Sequence, residues 1–272
     1  MAFRLIDTHN HIDSEIFDAD RFQLVETARE KGVEDALICS GIPETLEKAR
    51  LVAHQIGWHY ALGVHPLYVE NVTDPVSFLA SLETLIRESL SDPLFAAVGE
   101  IGLDGFVPGI DKTKMLFLFR EQLRIARKYA LPVSVHARHA VDAVSKELAT
   151  FGISRGAVHA FNGSVQRAAR LTGLGLKLGF GGALTYTGSL RIRRIFQSLS
   201  DTDFVLETDA PDMPGQHRRN ASDKRTHPSD IEATLLCASE LRKTSPENLA
   251  RHATENSTQA FPKLGNFKPQ FF

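Results

Sequence analysis

The feature that most constrains the fold of this chain is a regular alternation of short β-rich runs with longer helical patterns. Eight runs are predicted as strands, at residues 4–11, 35–40, 59–64, 95–101, 132–137, 156–161, 177–181 and 204–208. Periodic apolar patterns predict helices at 20–31, 43–56, 76–90, 112–129, 140–150, 164–174 and 189–198, with two more at 229–243 and 246–261. Strands separated by helices favour a parallel sheet, and eight such units favour a closed (β/α)8 TIM barrel. A doubly wound open sheet is the alternative.

The length and charge of the chain limit its organisation. It has 272 residues, and no linker or short repeat divides it, so a single domain is predicted over residues 1–272. The net charge of −2 excludes a global attraction to nucleic acid or membrane, so a nucleic-acid substrate would have to be held by a local site. Residues 264–272 are predicted to form an irregular tail whose three phenylalanines pack against the barrel.

Two further observations bear on location. Cys39 and Cys237 lie in apolar contexts without zinc-type spacing, and both are predicted to be buried. The N-terminal residues lack the pattern of a signal peptide, and no apolar run approaches the length of a membrane span. We therefore expect a cytoplasmic protein without membrane association, and a monomer without an obligate protein partner.

Polar residues recur where the predicted strands end. In a (β/α)8 barrel the carboxyl ends of the strands meet at one mouth, which holds the active site. His9 and His11 close the first strand, and as residues i and i+2 they point to one face. The other residues at strand ends are His65 after the third, Glu100 at the end of the fourth, His136 on the fifth, His159 on the sixth and Asp209 after the eighth. All seven are predicted to converge.

This convergence predicts a metal site. Each residue alone has an ordinary explanation as a core histidine or a loop cap, but burying them together without a cation would be costly. Nitrogen and oxygen donors of this kind suit Zn²⁺, Mn²⁺, Fe²⁺ or Mg²⁺. We predict two divalent ions bridged by Glu100, because such a pair can activate water. The six predicted ligands are His9, His11 and Asp209 for one ion, His136 and His159 for the other, and Glu100 between them.

Six blocks of the sequence, in chain order, resemble the signatures of a known family. They are Asp-Thr-His-Asn-His at 7–11, Gly-Val-His-Pro at 63–66, Gly-Glu-Ile-Gly-Leu-Asp at 99–104, Val-His-Ala-Arg at 135–138, His-Ala-Phe-Asn-Gly at 159–163 and Glu-Thr-Asp-Ala-Pro at 207–211. Together they resemble the TatD-related deoxyribonucleases of the metal-dependent amidohydrolase superfamily, and Asp-Met-Pro at 212–214 resembles the YjjV-type branch. The resemblance implies a (β/α)8 fold, the same six metal ligands and hydrolysis of DNA, often as a 3′ exonuclease on single strands.

The resemblance also implies roles for individual residues. His65 is implied in handling the scissile phosphate, and Glu100 and Asp209 are expected to be catalytic. Our hypothesis is that Asp209 orients a metal-activated water and accepts its proton, while His65 and Arg138 add positive charge. Asn162 is expected to donate to a phosphate or sugar oxygen. Ala137 and Asn162 depart from serines that are common in the family, which puts substrate contacts in doubt and leaves the ligands unaffected.

Three questions stay open from the sequence. The basic residues at 217–219 and 224–225 are either a track for a nucleic-acid backbone or a solvated loop. The same metal site would also serve a hydrolase of esters, lactones or amides, since a fold does not determine its substrate. A non-catalytic, metal-dependent binding protein is the third possibility, although the complete ligand set counts against it.

Overall fold

Eight parallel strands form one sheet in which every strand pairs with its neighbour in the sequence. The structure is a computed structural model and describes residues 3–265. The strands β1 to β8 are Leu5–Asn10, Val33–Cys39, His59–Leu62, Phe95–Asp104, Val133–Arg138, Gly156–Val158, Lys177–Phe180 and Phe204–Leu206. The predicted parallel (β/α)8 barrel is confirmed, and the doubly wound alternative is wrong because its strand order would reverse within the sheet.

Helices follow the strands and cover the outside of the sheet. The α-helices α1 to α9 within the described residues are Arg21–Glu30, Leu46–Ile56, Pro75–Ser89, Lys112–Lys128, Val141–Thr150, Val165–Gly173, Leu190–Ser198, Ile231–Arg242 and Pro246–Ala260. Asp74 and Asp111 begin α3 and α4 by accepting backbone N–H bonds at the helix starts. Within residues 3–265, no helix is both long and apolar enough to cross a membrane.

Alternation along the strands separates two apolar layers. In β2, Ala36 and Ile38 belong to the large cluster packed beneath the helices, whereas Leu37 and Cys39 belong to a second, smaller cluster. That second cluster also holds Phe261 from the end of the last helix, so the C-terminal segment packs against strand residues. Cys39 is buried as predicted. Cys237, on α8, is only partly buried, so the prediction that it is buried is wrong.

Hydrogen bonds of side chains join the β8 and β1 regions, where the barrel closes. Thr8 Oγ1 donates to the Leu206 carbonyl (3.0 Å), and Thr208 donates to the Asp7 carboxylate through its backbone N–H (2.9 Å) and its Oγ1 (2.6 Å). Asp7 is fully buried, and burial raises its pKa to about 7 despite these hydrogen bonds. Asp7, which the sequence analysis did not single out, therefore accepts two of the hydrogen bonds at this junction.

Several predicted strand ends differ from the structure. Strands β6 and β8 are shorter than predicted because the backbone turns left-handed just after them, with φ of +46° at Ala160 and +59° at Asp209. Strand β4 is longer and runs to Asp104, so Glu100 lies within the strand instead of at its end. The predicted packing of the last phenylalanines lies outside the described residues, and the single domain over 1–272 stays a prediction.

Candidate metal centre

The first donor group forms where β1 meets the segment after β8. Two backbone hydrogen bonds join them, from Asp209 N–H to the His9 carbonyl (2.9 Å) and from His11 N–H to the Ala210 carbonyl (2.7 Å). His9 Nε2 lies 3.2 Å from Glu100 Oε2 and 3.5 Å from Asp209 Oδ1. His11 Nε2 lies 3.4 Å from each of the same two oxygens. We call His9, His11, Asp209 and Glu100 Oε2 the first donor group.

The second donor group surrounds the other oxygen of Glu100. Glu100 Oε1 lies 2.8 Å from His159 Nε2, 3.1 Å from His136 Nδ1 and 3.2 Å from His65 Nε2. His136 Nδ1 and His159 Nε2 are 3.1 Å apart. We call His136, His159 and Glu100 Oε1 the second donor group, and His65 is its neighbour. Glu100 therefore stands between two sets of imidazoles, one at each carboxylate oxygen.

Hydrogen bonds on the far side of each ring indicate which nitrogen carries the proton. His11 Nδ1 lies 2.6 Å from the Cys39 carbonyl, which can only accept, so Nδ1 carries a proton and Nε2, which faces Glu100 and Asp209, is the nitrogen left to bind an ion. His136 Nε2 lies 3.0 Å from Asp104 Oδ2 and donates its proton there, so Nδ1, which faces Glu100, is the nitrogen left to bind an ion. His65 has its proton on the nitrogen that faces the site, because its Nδ1 accepts the Leu67 N–H (3.1 Å). A neutral His65 therefore points an N–H into the site.

The carboxylates in both groups are ionised at neutral pH. Burial works to raise the pKa of Glu100, but the surrounding imidazoles outweigh it and hold this pKa well below its usual range. Burial also works to raise the pKa of Asp209, and the hydrogen bond from His11 outweighs it, so this pKa is lowered as well. Burial lowers the pKa of His9 to about 4, which leaves that imidazole neutral. Burial lowers the pKa of His65 too, so the predicted positive charge on this ring is replaced by a neutral hydrogen-bond donor.

This donor set fits divalent cations. His9 Nε2 is buried and forms no hydrogen bond with any described residue, although it faces two carboxylates. Such an atom is costly to bury unless it has a partner. Three triads of donor atoms lie close enough to hold an ion, and each contains imidazole nitrogen together with carboxylate oxygen. All six predicted ligands are brought together, with His65 as an additional neighbour. Their assignment to particular ions stays a prediction.

A cavity of about 1160 Å³ opens over both donor groups. His65, Arg138 and Asn162, the three residues predicted to bind substrate, all lie in its lining. The Oδ1 atom of Asn162 accepts a hydrogen bond from Arg191 (2.6 Å), which leaves the amide N–H groups as its remaining donors. Apart from the fully buried His9, the predicted site residues therefore line one space large enough for a nucleotide-sized ligand.

Comparison with known proteins identifies the family. A family model described as TatD related DNase matches residues 6–262. The chain belongs to the TatD family. The metal-dependent hydrolase YjjV of Escherichia coli is 33% identical over 264 residues, covering 96% of this chain and 99% of that protein. The crystal structure of Escherichia coli YjjV has a TM-score of 0.89 to this chain at 31% identity, covering 96% and 99% of the two chains.

A further relative in the TatD family has a more specific name. The 3′-5′ ssDNA/RNA exonuclease TatD of Rahnella sp. is 29% identical over 261 residues, covering 92% of this chain and 95% of that protein. The family resemblance read from the six sequence blocks is thus confirmed, including its YjjV-type character. The chain is a member of a family of metal-dependent hydrolases.

Two buried acidic residues beside the predicted metal ligands were missed by the sequence analysis. Asp104 bonds His136, and its pKa falls to about 2 because that bond and two backbone N–H groups outweigh burial. Glu207 Oε1 accepts the Ala160 N–H (2.5 Å) and lies 4.0 Å from His159 Nδ1, and burial raises the Glu207 pKa to about 8. Both residues lie inside the motif blocks at strand ends. The rule that selected Glu100 and Asp209 could therefore have found them.

The basic loop after β8 is not part of this site. Arg218 forms two hydrogen bonds to Asp230 (2.7 and 2.8 Å), and Arg225 pairs with both Asp20 and Asp223. None of the basic residues at 217–219 and 224–225 is among the described residues that line the cavity. The structure favours the alternative of a solvated loop, because Arg218 and Arg225 already have carboxylate partners.

Proposed function

We propose that this TatD-family chain hydrolyses the phosphodiester bonds of single-stranded DNA, removing nucleotides from the 3′ end. The observation that carries the proposal is Glu100, whose two oxygens face two separate groups of imidazoles at 2.8–3.4 Å. Family membership supports hydrolysis, and the name of the Rahnella relative supports a single-stranded substrate cleaved from its 3′ end. We further propose two divalent ions, Mg²⁺, Mn²⁺ or Zn²⁺, and a monomeric enzyme.

Asp209 and Glu100 have different roles in the proposed reaction. When bound, divalent ions would supply a water acidic enough to ionise near neutral pH and would neutralise charge on the phosphate. Asp209 is ionised and partly accessible from the cavity, so it can orient the attacking water and accept its proton. Glu100 is almost fully buried and already surrounded by imidazoles, so it positions the two donor groups and does not take up the proton.

Neutral and charged donors around the cavity hold the phosphate. His65 directs an N–H into the site and can donate to a non-bridging oxygen without carrying a charge. Arg138 supplies the positive charge in the lining, and the amide of Asn162 adds a neutral donor. Charge that develops on the phosphate in the transition state would therefore meet donors that are already in place.

The test is hydrolysis of a short end-labelled single-stranded DNA by protein stripped of metal, with Mg²⁺, Mn²⁺ or Zn²⁺ added back. We expect metal to restore a product ladder, and the end label to show shortening from the 3′ end. Asp209→Asn should lower the rate by roughly 10²- to 10⁴-fold, the usual contribution of a general base.

The matched control is Asp201→Asn, because Asp201 is an exposed carboxylate that pairs with Arg242 and does not line the cavity. This variant should cleave at the wild-type rate. If no metal restores cleavage of DNA, the nuclease proposal is wrong, and a panel of esters, lactones and amides would test the alternative substrates.

A further inference from the structure

An aromatic ring and a guanidinium group are stacked at the edge of the cavity. The Arg138 Cζ atom lies 3.9 Å above the centre of the Phe106 ring. Phe106 is 58% exposed although it is a large apolar side chain. Among residues 3–265, the Arg138 guanidinium forms neither an ion pair nor a hydrogen bond, so its N–H groups and its charge are available.

The position of this pair relative to the cavity gives the guanidinium a free surface. Arg138 belongs to the cavity lining, whereas Phe106 does not. The aromatic ring therefore supports the guanidinium at the cavity edge from outside the lining. A planar guanidinium supported in this way is a surface on which a nucleobase stacks.

Hydrogen bonds of Asp104 and Gly105 connect Phe106 and Arg138 to the second donor group. Asp104 Oδ1 accepts the N–H of Phe106 (2.7 Å) and of Val107 (3.2 Å), while Asp104 Oδ2 bonds His136 Nε2 (3.0 Å). Gly105 N–H donates to the Arg138 carbonyl (2.8 Å). One carboxylate thus fixes both a predicted metal ligand and the loop that carries Phe106.

We propose that Arg138, backed by Phe106, is a stacking platform for a nucleobase of single-stranded nucleic acid next to the reacting phosphate. This inference rests on the proposed function and adds the contact that recognises a base. It also suits the charge of the chain, because a net charge of −2 gives no general attraction to a polyanion. Stacking is tolerant of base identity, so the platform would favour nucleotides over other phosphodiesters without selecting a sequence.

The test separates stacking from simple attraction to phosphate. Binding of a fluorescent hexanucleotide to the full-length protein in EDTA, where no cleavage occurs, would be compared with binding of the same strand carrying abasic residues at its last three positions. The variants are Phe106→Ala and Arg138→Lys, since lysine keeps the positive charge but lacks the planar group. The controls are Phe117→Ala, an exposed phenylalanine on α4, and Arg251→Lys, an exposed arginine on α9.

We expect wild-type protein to bind the base-bearing strand about tenfold more tightly than the abasic strand, a ratio typical of one stacked base. The ratio should fall below about threefold in Phe106→Ala and Arg138→Lys and stay unchanged in both controls. A wild-type ratio near one, or a ratio that survives both platform variants, would overturn the inference.

Incubating the same strands with added metal distinguishes failure of the proposed nuclease function from failure of the stacking platform. Absence of cleavage together with a retained, variant-sensitive preference for bases would reject the nuclease activity and leave the platform as a binding site. Cleavage at equal rates on base-bearing and abasic strands by all variants would reject the platform and leave the nuclease activity.

Discussion

Replacing Asp104 by asparagine would change one hydrogen bond beside the second donor group and leave the shape of the site intact. The Asp104 Oδ1 atom accepts two backbone N–H groups, from Phe106 and Val107. In the variant, the amide oxygen must keep that place, because the amide NH₂ group cannot accept. The NH₂ group then faces His136 Nε2, which carries a proton in the wild type.

Two donors facing each other force His136 into its other tautomer. Its proton would move to Nδ1, the atom that lies 3.1 Å from both Glu100 Oε1 and His159 Nε2. His136 would then lack a lone pair where the second donor group needs one. Loss of such a supporting carboxylate typically weakens metal binding by 10- to 100-fold, which is about 1.4–2.8 kcal/mol.

Calorimetric titration of metal-stripped protein with Zn²⁺ or Mn²⁺ would measure this effect. We expect Asp104→Asn to weaken one binding event by 10- to 100-fold and to leave the other unchanged, since the first donor group does not contact Asp104. Asp111→Asn is a matched control: Asp111 Oδ1 also accepts two backbone N–H groups, from Thr113 and Lys114, but in an exposed helix cap. Equal weakening in both variants, or none in Asp104→Asn, would refute the tautomer argument.

Two further predictions concern stability, measured by urea denaturation. In Gly179→Ala the new Cβ atom would lie 2.0 Å from Glu207 Oε2, so we expect the free energy of unfolding to fall by about 1–3 kcal/mol. The control is Gly173→Ala, whose new Cβ would have no atom within 4 Å and which should be neutral or stabilising. Equal stabilities of the two variants would contradict this. Burial works to raise the pKa of Asp230, but Arg218 outweighs it and lowers this pKa below the ordinary value of 3.8. The ionised carboxylate therefore stabilises the fold above about pH 4, and this contribution is lost as the pH falls through the lowered pKa. Asp230→Asn should accordingly cost about 1–2 kcal/mol at pH 7 and progressively less as the pH falls through the lowered pKa, and a pH-independent cost would show the reasoning to be wrong.

Much of the fold and site could be predicted because the alternation of strands and helices coincides with polar residues at the strand ends. Alternating strands and helices limit the chain to a barrel, and a barrel sends every strand end to one mouth. His136, for example, lies in a run of the kind that is most often a buried core strand. Only the convergence of the other strand ends identifies it as a site residue. The structure places it in β5 beside Glu100, where that rule requires it to be.

What could not be predicted depends on the direction of individual hydrogen bonds. His65 and His136 are both histidines at strand ends, and nothing in the sequence tells which presents a lone pair to the site and which presents an N–H. That difference comes from the Leu67 N–H at one ring and the Asp104 carboxylate at the other. Strand lengths escaped prediction for a related reason, because Ala160 and Asp209 adopt left-handed backbone conformations that their residue types do not indicate.

These left-handed residues explain how a rigid barrel presents its donors. His159 immediately precedes Ala160, and Asp209 is itself left-handed, so in both places the left-handed backbone lies at or next to a donor residue. A non-glycine residue in this conformation costs of order 1 kcal/mol, and it persists only where the surroundings hold it. Here they do: Ala160 N–H is bonded to Glu207, and Asp209 N–H is bonded to the His9 carbonyl. The buried carboxylates Asp7 and Glu207 therefore act on the site through the backbone, holding the two departures from the sheet that bring His159 and Asp209 to Glu100.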